Sequence, residues 1–257
     1  MCTLTFAWRA FDDAPLVVAA NRDELLDRAS EPPGVVDGDP AVLAPRDAVA
    51  GGTWIGHNER GVFAGLTNRW TQVDGGGERS RGQLVRDVLR TERAEAAREV
   101  VESAVETETY DGFNLVVADG SGGAAADEPA AFLFEWDGDL RVRRLDPGVH
   151  VLVNVGLDGE YVEPERDPEV GPVQAHNAER LREDLAPDRF DGAVAWRDRA
   201  AEILGDHDYG VCVHDPERDF GTRSSSLFVF RDDGDVEVHF ADGPPCETAF
   251  DRVESQL

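Results

Sequence analysis

The sequence predicts a layered α+β fold, with two mainly antiparallel sheets and helices packed outside them. Three observations carry this. Apolar segments run in the order strands, helix pair, strands, helix pair, strands; turn residues join many of the strands as hairpins; and there is no regular βαβ alternation. A chain of 257 residues buries roughly 70–75% of its unfolded surface, which is enough for a large core without staples. No linker divides it, so residues 1–257 read as a single domain.

Taken in order, Thr3 to Trp8 is a strand, Phe11 to Ala14 a turn, and Leu16 to Ala20 a second strand whose unbroken apolar character suits cover on both faces. Thr53 to His57 and Val62 to Asn68 flank the turn Asn58-Glu59-Arg60-Gly61 as a hairpin. Leu84, Val85, Val88 and Leu89, then Ala94, Ala97, Val101, Ala104 and Val105, recur at helical spacing. Strands resume at Phe113 to Ala118, after which Gly120 to Ala131 reads as a loop. Ala131 to Trp136 and Leu140 to Leu145 flank the hairpin signal Asp137-Gly138, and Val149 to Val155 follows. After a Pro- and acid-rich connection from Gly156 to Pro172, the segments Ala175 to Leu185 and Ala193 to Leu204 form a second helix pair. Tyr209 to Val213, Ser226 to Arg231 and the alternating Val236 to Phe240 are the closing strands.

Composition excludes several functions. Asp plus Glu number 53 against 25 Lys plus Arg, every one of them Arg, for a net charge of −28. Nucleic acid and anionic membrane surfaces both require a basic patch, so neither is an expected partner. The acidity reads as adaptation to a salt-accumulating cytoplasm, where molar salt cuts the Debye length to about 3 Å. Cys2, Cys212 and Cys246 form an odd set without CxxC spacing, which argues against a disulfide framework or a zinc ribbon. The early apolar run Leu16 to Ala20 is too short for a signal peptide or a span, so a cytoplasmic location without membrane insertion is expected.

The most informative residue for chemistry is Cys2. Removal of Met1 would place a thiol and an α-amine on one residue, and that amine, with a pKa of about 7.7–8.0, can act as base for its own side chain. The alternative is an incidental small residue at position 2. Cys212 and His214 lie two apart on an expected strand, but one such pair reads better as a buried structural cysteine than as metal ligation. No metal or other cofactor is expected. Gly75-Gly76-Gly77 lacks the Lys-Ser/Thr of a P-loop and reads as a flexible loop, with Arg79 and Arg81 beside it as candidate anion contacts and Trp54 as a candidate pocket wall.

Several blocks together make the chain resemble the NRDE family, which includes the transport and Golgi organisation proteins of eukaryotes. They are Met1-Cys2-Thr3-Leu4, Asn21-Arg22-Asp23-Glu24, Gly51-Gly52-Thr53-Trp54-Ile55-Gly56, Asn58-Glu59-Arg60-Gly61-Val62, Ala64 to Asn68, Phe113-Asn114-Leu115-Val116, His150 to Asn154 and Gly221-Thr222-Arg223-Ser224. That family is in turn similar to N-terminal nucleophile hydrolases of the penicillin V acylase and bile salt hydrolase type, which implies an αββα four-layer sandwich. The resemblance implies Cys2 as nucleophile, Asn68 and Asn154 as the two site asparagines and Arg223 as a late site arginine. Those acylases carry an Arg and an Asp three positions apart after the second strand. Here Arg22 and Asp23 are adjacent, and the residues three apart are Asn21 and Glu24.

If the segment stays extended, Arg22 and Glu24 share one face while Asn21 and Asp23 share the other. Arg22 and Asp23 are taken as catalytic, with the chain bending at the strand end, and Asn21 and Glu24 as substrate contacts. Alternatively, Asn21 or Asp23 caps a short helix from Glu24 to Arg28. Arg22 is expected to lower the Cys2 thiol pKa. Asn68 is either an oxyanion donor or a hairpin-end residue serving local backbone.

The expected activity is cleavage of an amide or thioester bond in a small molecule. The rival reading is a non-catalytic carrier for haem or acyl-CoA/lipid on the same fold, and a third is a redox-sensing thiol protein. The partner in the first two cases is a small-molecule substrate or ligand. Oligomeric state is left open.

Overall fold

The computed structural model describes residues 2–73, 77–120, 128–164, 168–254 and 257. The chain forms two compact units, one of Met1–Arg28 with Pro147–Glu254 and one centred on Ala29–Asp146. Strands β1 (Thr3–Phe11) and β2 (Ala14–Leu25) open the first unit. The second unit holds β3 (Ser30–Val36), β4 (Val42–Asp47), β5 (Ile55–Asn58) and β6 (Val62–Asn68), then helices α1 (Arg81–Val88) and α2 (Ala94–Thr107). It closes with β7 (Phe113–Asp119), β8 (Ala131–Trp136) and β9 (Leu140–Arg144). The chain then returns to the first unit with β10 (Gly148–Val153), β11 (Gly156–Leu157), β12 (Glu160–Tyr161), α3 (Val170–Asp184) and α4 (Ala193–Gly205). Four strands follow: β13 (His214–Asp215), β14 (Phe220–Phe230), β15 (Val236–Ala241) and β16 (Asp251–Arg252).

In the first unit the sheet order is β12-β11-β10-β1-β2-β14-β15-β16, with β13 paired to β14. Alternation along β2 turns Val17 and Ala19 toward α3 and α4, where they pack with Leu181, Trp196 and Ile203. Leu16 and Val18, on the opposite face, are buried as well. The sequence signal for a strand covered on both faces is thus met.

The second unit is a seven-stranded antiparallel meander, β3 to β9 in order. Val62, Ala64, Leu115, Val117 and Phe132 form its core with Leu84 and Val88 of α1 and Val101 of α2. Ser80 caps α1, its hydroxyl accepting the Gly82 N–H at 3.2 Å. Gly52 lets two backbones cross: a Cβ there would stand 2.2 Å from the Gly82 carbonyl carbon.

Three local expectations are corrected. Strands β3 and β4 escape sequence reading because Pro32, Pro33 and Pro45 interrupt their pattern, and β3 is an edge strand, where proline is tolerated. Tyr209 to Val213 is no regular strand, since a 3-10 turn at His207–Tyr209 ends on Gly210 in the left-handed region (φ 66°). Finally, β2 neither bends nor turns helical at Asn21-Arg22-Asp23-Glu24; it runs on to Leu25, paired with β14. Residues 75, 76 and 121–127 of the expected loops lie outside the described residues. Among the described residues, no helix is long and apolar enough to cross a membrane.

Candidate active site

Cys2 precedes β1, and the pairing of Thr3 with Asn21 and with Val153 places it between the end of β2 and the end of β10. Its backbone N–H donates to Asn154 Oδ1 at 3.0 Å. The thiol is clasped by the Asp23 peptide, donating to the carbonyl oxygen and accepting from the N–H, each at 3.4 Å. The Asp23 side chain receives the Thr222 hydroxyl at 2.6 Å. That contact follows from register, because Thr222 is the residue opposite Asp23 on β14.

Cys2, Asp23, Asn154 and Thr222 are therefore brought together within the first unit. Continuing the β1–β2 register sets Cys2 across from Arg22, which is buried and pairs with Glu24 at 3.8 Å. Glu24 also meets Arg28 at 3.7 Å. Arg223 falls at the irregularity between Thr222 and Ser224, a bulge that redirects its side chain relative to its neighbours.

Asn21 is spent differently. Its amide donates to the carbonyls of Leu204 and Val211 at 3.0 and 2.9 Å, and its oxygen accepts the Ser225 hydroxyl at 2.6 Å. It anchors β2 to β14 and to the end of α4, on the face away from Arg22.

Electrostatics correct one expectation. Burial pushes the Cys2 thiol up from its ordinary value and the Asp23 carboxylate adds to this, outweighing the N-terminal ammonium, the Asp23 N–H bond and Arg22. Asp23 is also held above the usual carboxylate range, again chiefly by burial, against the lowering effects of the N-terminal ammonium and the Thr222 hydrogen bond. A thiol held up in this way attacks most readily when a base takes its proton as the bond forms.

The remaining candidates belong to the second unit. Asn68 ends β6, opposite Phe113. Its neighbour Arg69 is buried and donates to Asn114 and Glu135, both at 2.9 Å, while Asn114 donates to Thr67 at 3.2 Å. This network fixes the backbone on either side of Asn68. Trp54 is half-buried, its carbonyl accepting the Leu66 N–H at 2.8 Å. Arg79 is engaged by Asp87, Glu108 and the Tyr110 hydroxyl, and Arg81 donates to the Gly112 carbonyl at 2.9 Å.

Sequence reading passed over Thr222 although it lies inside the Gly221-Thr222-Arg223-Ser224 block, because a threonine opposite an aspartate is visible only once the strand register is known. It also passed over His207 and Cys246, which the fold gathers around Cys212 and His214.

Comparison with known proteins bears first on the fold. The fold is similar to that of penicillin V acylase from Agrobacterium tumefaciens (TM-score 0.53, 14% identity, 94% of this chain and 83% of that one). It is also similar to that of a single-residue variant of conjugated bile acid hydrolase from Clostridium perfringens (TM-score 0.56, 12% identity, 99% and 92%). The fold class is thus an α+β sandwich similar to that of these two proteins.

The family is narrower. The chain belongs to the Transport and Golgi organisation 2 family, whose profile matches residues 1–242. It is 30% identical to the Transport and Golgi organization protein 2 homolog of Bos taurus over 262 residues, covering 92% of this chain and 91% of that protein. The Homo sapiens homolog is 33% identical over 129 residues, 46% of this chain and 45% of its own.

Proposed function

We propose that the protein is an N-terminal cysteine hydrolase that cleaves an amide or thioester bond of a small molecule once Met1 is removed. One observation carries the reading: the Cys2 nitrogen is fixed by Asn154 while the Cys2 sulfur is held by the Asp23 peptide. Nucleophile and prospective base are thus oriented on one residue. As sulfur adds to the carbonyl carbon, the thiol proton passes to the α-amine; the resulting ammonium then protonates the leaving amine or thiol, giving an acyl-cysteine. Water, deprotonated by the same amine, attacks that thioester, and collapse returns the thiol and releases the acid.

The raised thiol pKa suits this division of labour, since a neutral thiol keeps its proton until the amine receives it. Asn68 enters from the sequence resemblance, as an amide donor for the oxyanion. Arg223 and Arg22 are assigned to the site on the same ground, with Arg22 countering part of the negative charge of Asp23.

A second reading, a non-catalytic carrier for haem or acyl-CoA/lipid, draws on the same raised pKa, because a buried protonated thiol is a poor nucleophile by itself. Intact mass and a panel of amides, thioesters and acyl-CoAs separate the two. Loss of Met1 with turnover that Cys2→Ala abolishes is the expected result. Retained Met1, or ligand binding that survives Cys2→Ala with no wild-type turnover, would replace the hydrolase by the carrier.

A further inference from the structure

Behind the Asp23–Thr222 contact, four side chains from three separate segments converge. His207 stands on the 3-10 turn after α4, Cys212 and His214 flank Val213, and Cys246 lies in the segment after β15. One donor atom from each lies within 4.8 Å of all the others. Cys212 Sγ is 3.4 Å from Cys246 Sγ and 3.7 Å from His214 Nε2, and His214 Nε2 is 3.2 Å from Cys246 Sγ. The His207 and His214 rings stack with centroids 5.2 Å apart.

A tetrahedral ion bound at about 2.3 Å to sulfur and about 2.0–2.1 Å to nitrogen sets donor separations of roughly 3.3 Å (N–N), 3.6 Å (S–N) and 3.8 Å (S–S). The three distances, 3.2, 3.4 and 3.7 Å, lie within about 0.4 Å of those edges, and the whole set, His207 included, falls within 4.8 Å, so a small side-chain adjustment closes it on an ion. The sulfurs are too far apart for a covalent bond, which needs about 2.05 Å.

The backbone holds this arrangement in place. Gly210 turns the chain between His207 and Cys212. The Pro244 carbonyl accepts the N–H groups of Glu247 and Thr248 at 3.0 and 2.9 Å, closing a turn around Cys246. A Cβ on Gly205 would stand 3.1 Å from the Pro245 carbonyl oxygen, so the end of α4 and the Cys246 segment are in close contact.

A divalent ion ligates deprotonated sulfur, and two thiolates on a dication leave a neutral centre.

We propose that His207, Cys212, His214 and Cys246 form a four-coordinate structural site for a divalent transition metal, with Zn²⁺ the ion that this S₂N₂ donor set fits best. Four protein ligands leave no position for a bound water, so the ion holds structure and is not catalytic. What it holds is the support of the nucleophile. The Val213 N–H donates to Thr222 Oγ1 at 2.8 Å, the Thr222 N–H donates to the Val213 carbonyl at 2.9 Å, and the same Thr222 hydroxyl reaches Asp23. Ligation on either side of Val213 therefore fixes the residue that fixes Asp23.

The test uses the full chain, purified under reducing conditions. It is stripped with a chelator, reloaded with Zn²⁺ or Co²⁺, and passed through molar KCl to displace ions held loosely by the carboxylates. One equivalent of zinc per chain is expected, with a Co²⁺ form showing the sulfur-to-metal charge-transfer and visible bands of a tetrahedral thiolate site. Cys2→Ala should keep the equivalent, while Cys212→Ser and Cys246→Ser should lose it. Because Cys212 is buried, the exposed His207→Ala is the variant that separates ligand loss from misfolding, and it should lose or sharply weaken binding with the fold intact. Sub-stoichiometric zinc, equal retention in the cysteine variants, or a Cys212–Cys246 disulfide that persists in the reduced protein would overturn the site. None of these readouts depends on turnover.

Discussion

Two buried polar clusters, one in each unit, are both set on strands and yet differ in what faces their charges. In the second unit, Arg69 is surrounded by Asn114 at 2.9 Å, Glu135 at 2.9 Å and Asp137 at 3.4 Å, so opposite charges face each other at close range. In the first, Asp23 meets the Thr222 hydroxyl and the Cys2 thiol rests on its peptide, and both ionisable groups are pushed above their ordinary pKa. The first pattern stabilises the fold. The second keeps a carboxyl and a thiol where ionisation is costly, an arrangement characteristic of functional sites. Burial alone does not separate them; the partners do.

The sharpest way to break the comparison is Cys2→Ala. Under the hydrolase reading it abolishes turnover and leaves the melting temperature within about 2–4 °C, since only one small side chain is lost. Glu135→Leu is the mirror case in the second unit. Removing one partner of a buried ion pair costs about 3–5 kcal/mol, and thermal melting should register that loss. A melting temperature unchanged by Glu135→Leu would mean that the Arg69 network is not the stabilising cluster described above.

Asn68 tests whether the second unit supplies chemistry as well as support. If its amide stabilises the oxyanion, Asn68→Ala lowers kcat by about 10²–10³, or about 2.7–4 kcal/mol of transition-state stabilisation, with KM nearly unchanged. An equal fall in affinity and rate, or lost stability without a kinetic defect, would make Asn68 a hairpin-end residue.

Much of the fold could be read from the sequence, because its signals are periodic. Val17 and Ala19 face the helices and Leu16 and Val18 the other side, as an unbroken apolar run requires. Both helix pairs and most hairpins announced themselves in the same way. What escaped depends on long-range pairing. Asn21 looked like a ligand contact until the carbonyls of Leu204 and Val211, some 180–190 residues on, took its amide. The block Asn58-Glu59-Arg60-Gly61 read as a turn, but not as one whose Asn58 also binds the carbonyls of Leu89 and Thr91 at 2.9 and 2.7 Å. Arg22 promised an acidic thiol on proximity alone, and only the burial of Cys2 and the adjacent Asp23 carboxylate decide the direction. Charge counting along a chain carries no information about desolvation.

The smallest expected effect is also the most diagnostic. Asp23 has a folded pKa above its unfolded value of about 3.9, so the folded chain binds that proton more tightly. Stability from this group is therefore present in acid and is lost as pH rises from the unfolded value through the folded one. Above the folded value the group therefore weighs against the folded state. Asp23→Asn removes the charge while keeping an oxygen to accept the Thr222 hydroxyl. The variant should melt higher than wild type at pH 7, by about 2–4 °C for each kcal/mol relieved. The gap should close as pH falls toward 4, and turnover should drop. A position that gains stability when its charge is deleted and loses activity in the same step is one where the fold accepts a cost for chemistry. If Asp23→Asn instead melts lower at pH 7, Asp23 is a stabilising charge like those around Arg69, and the distinction between the two clusters disappears.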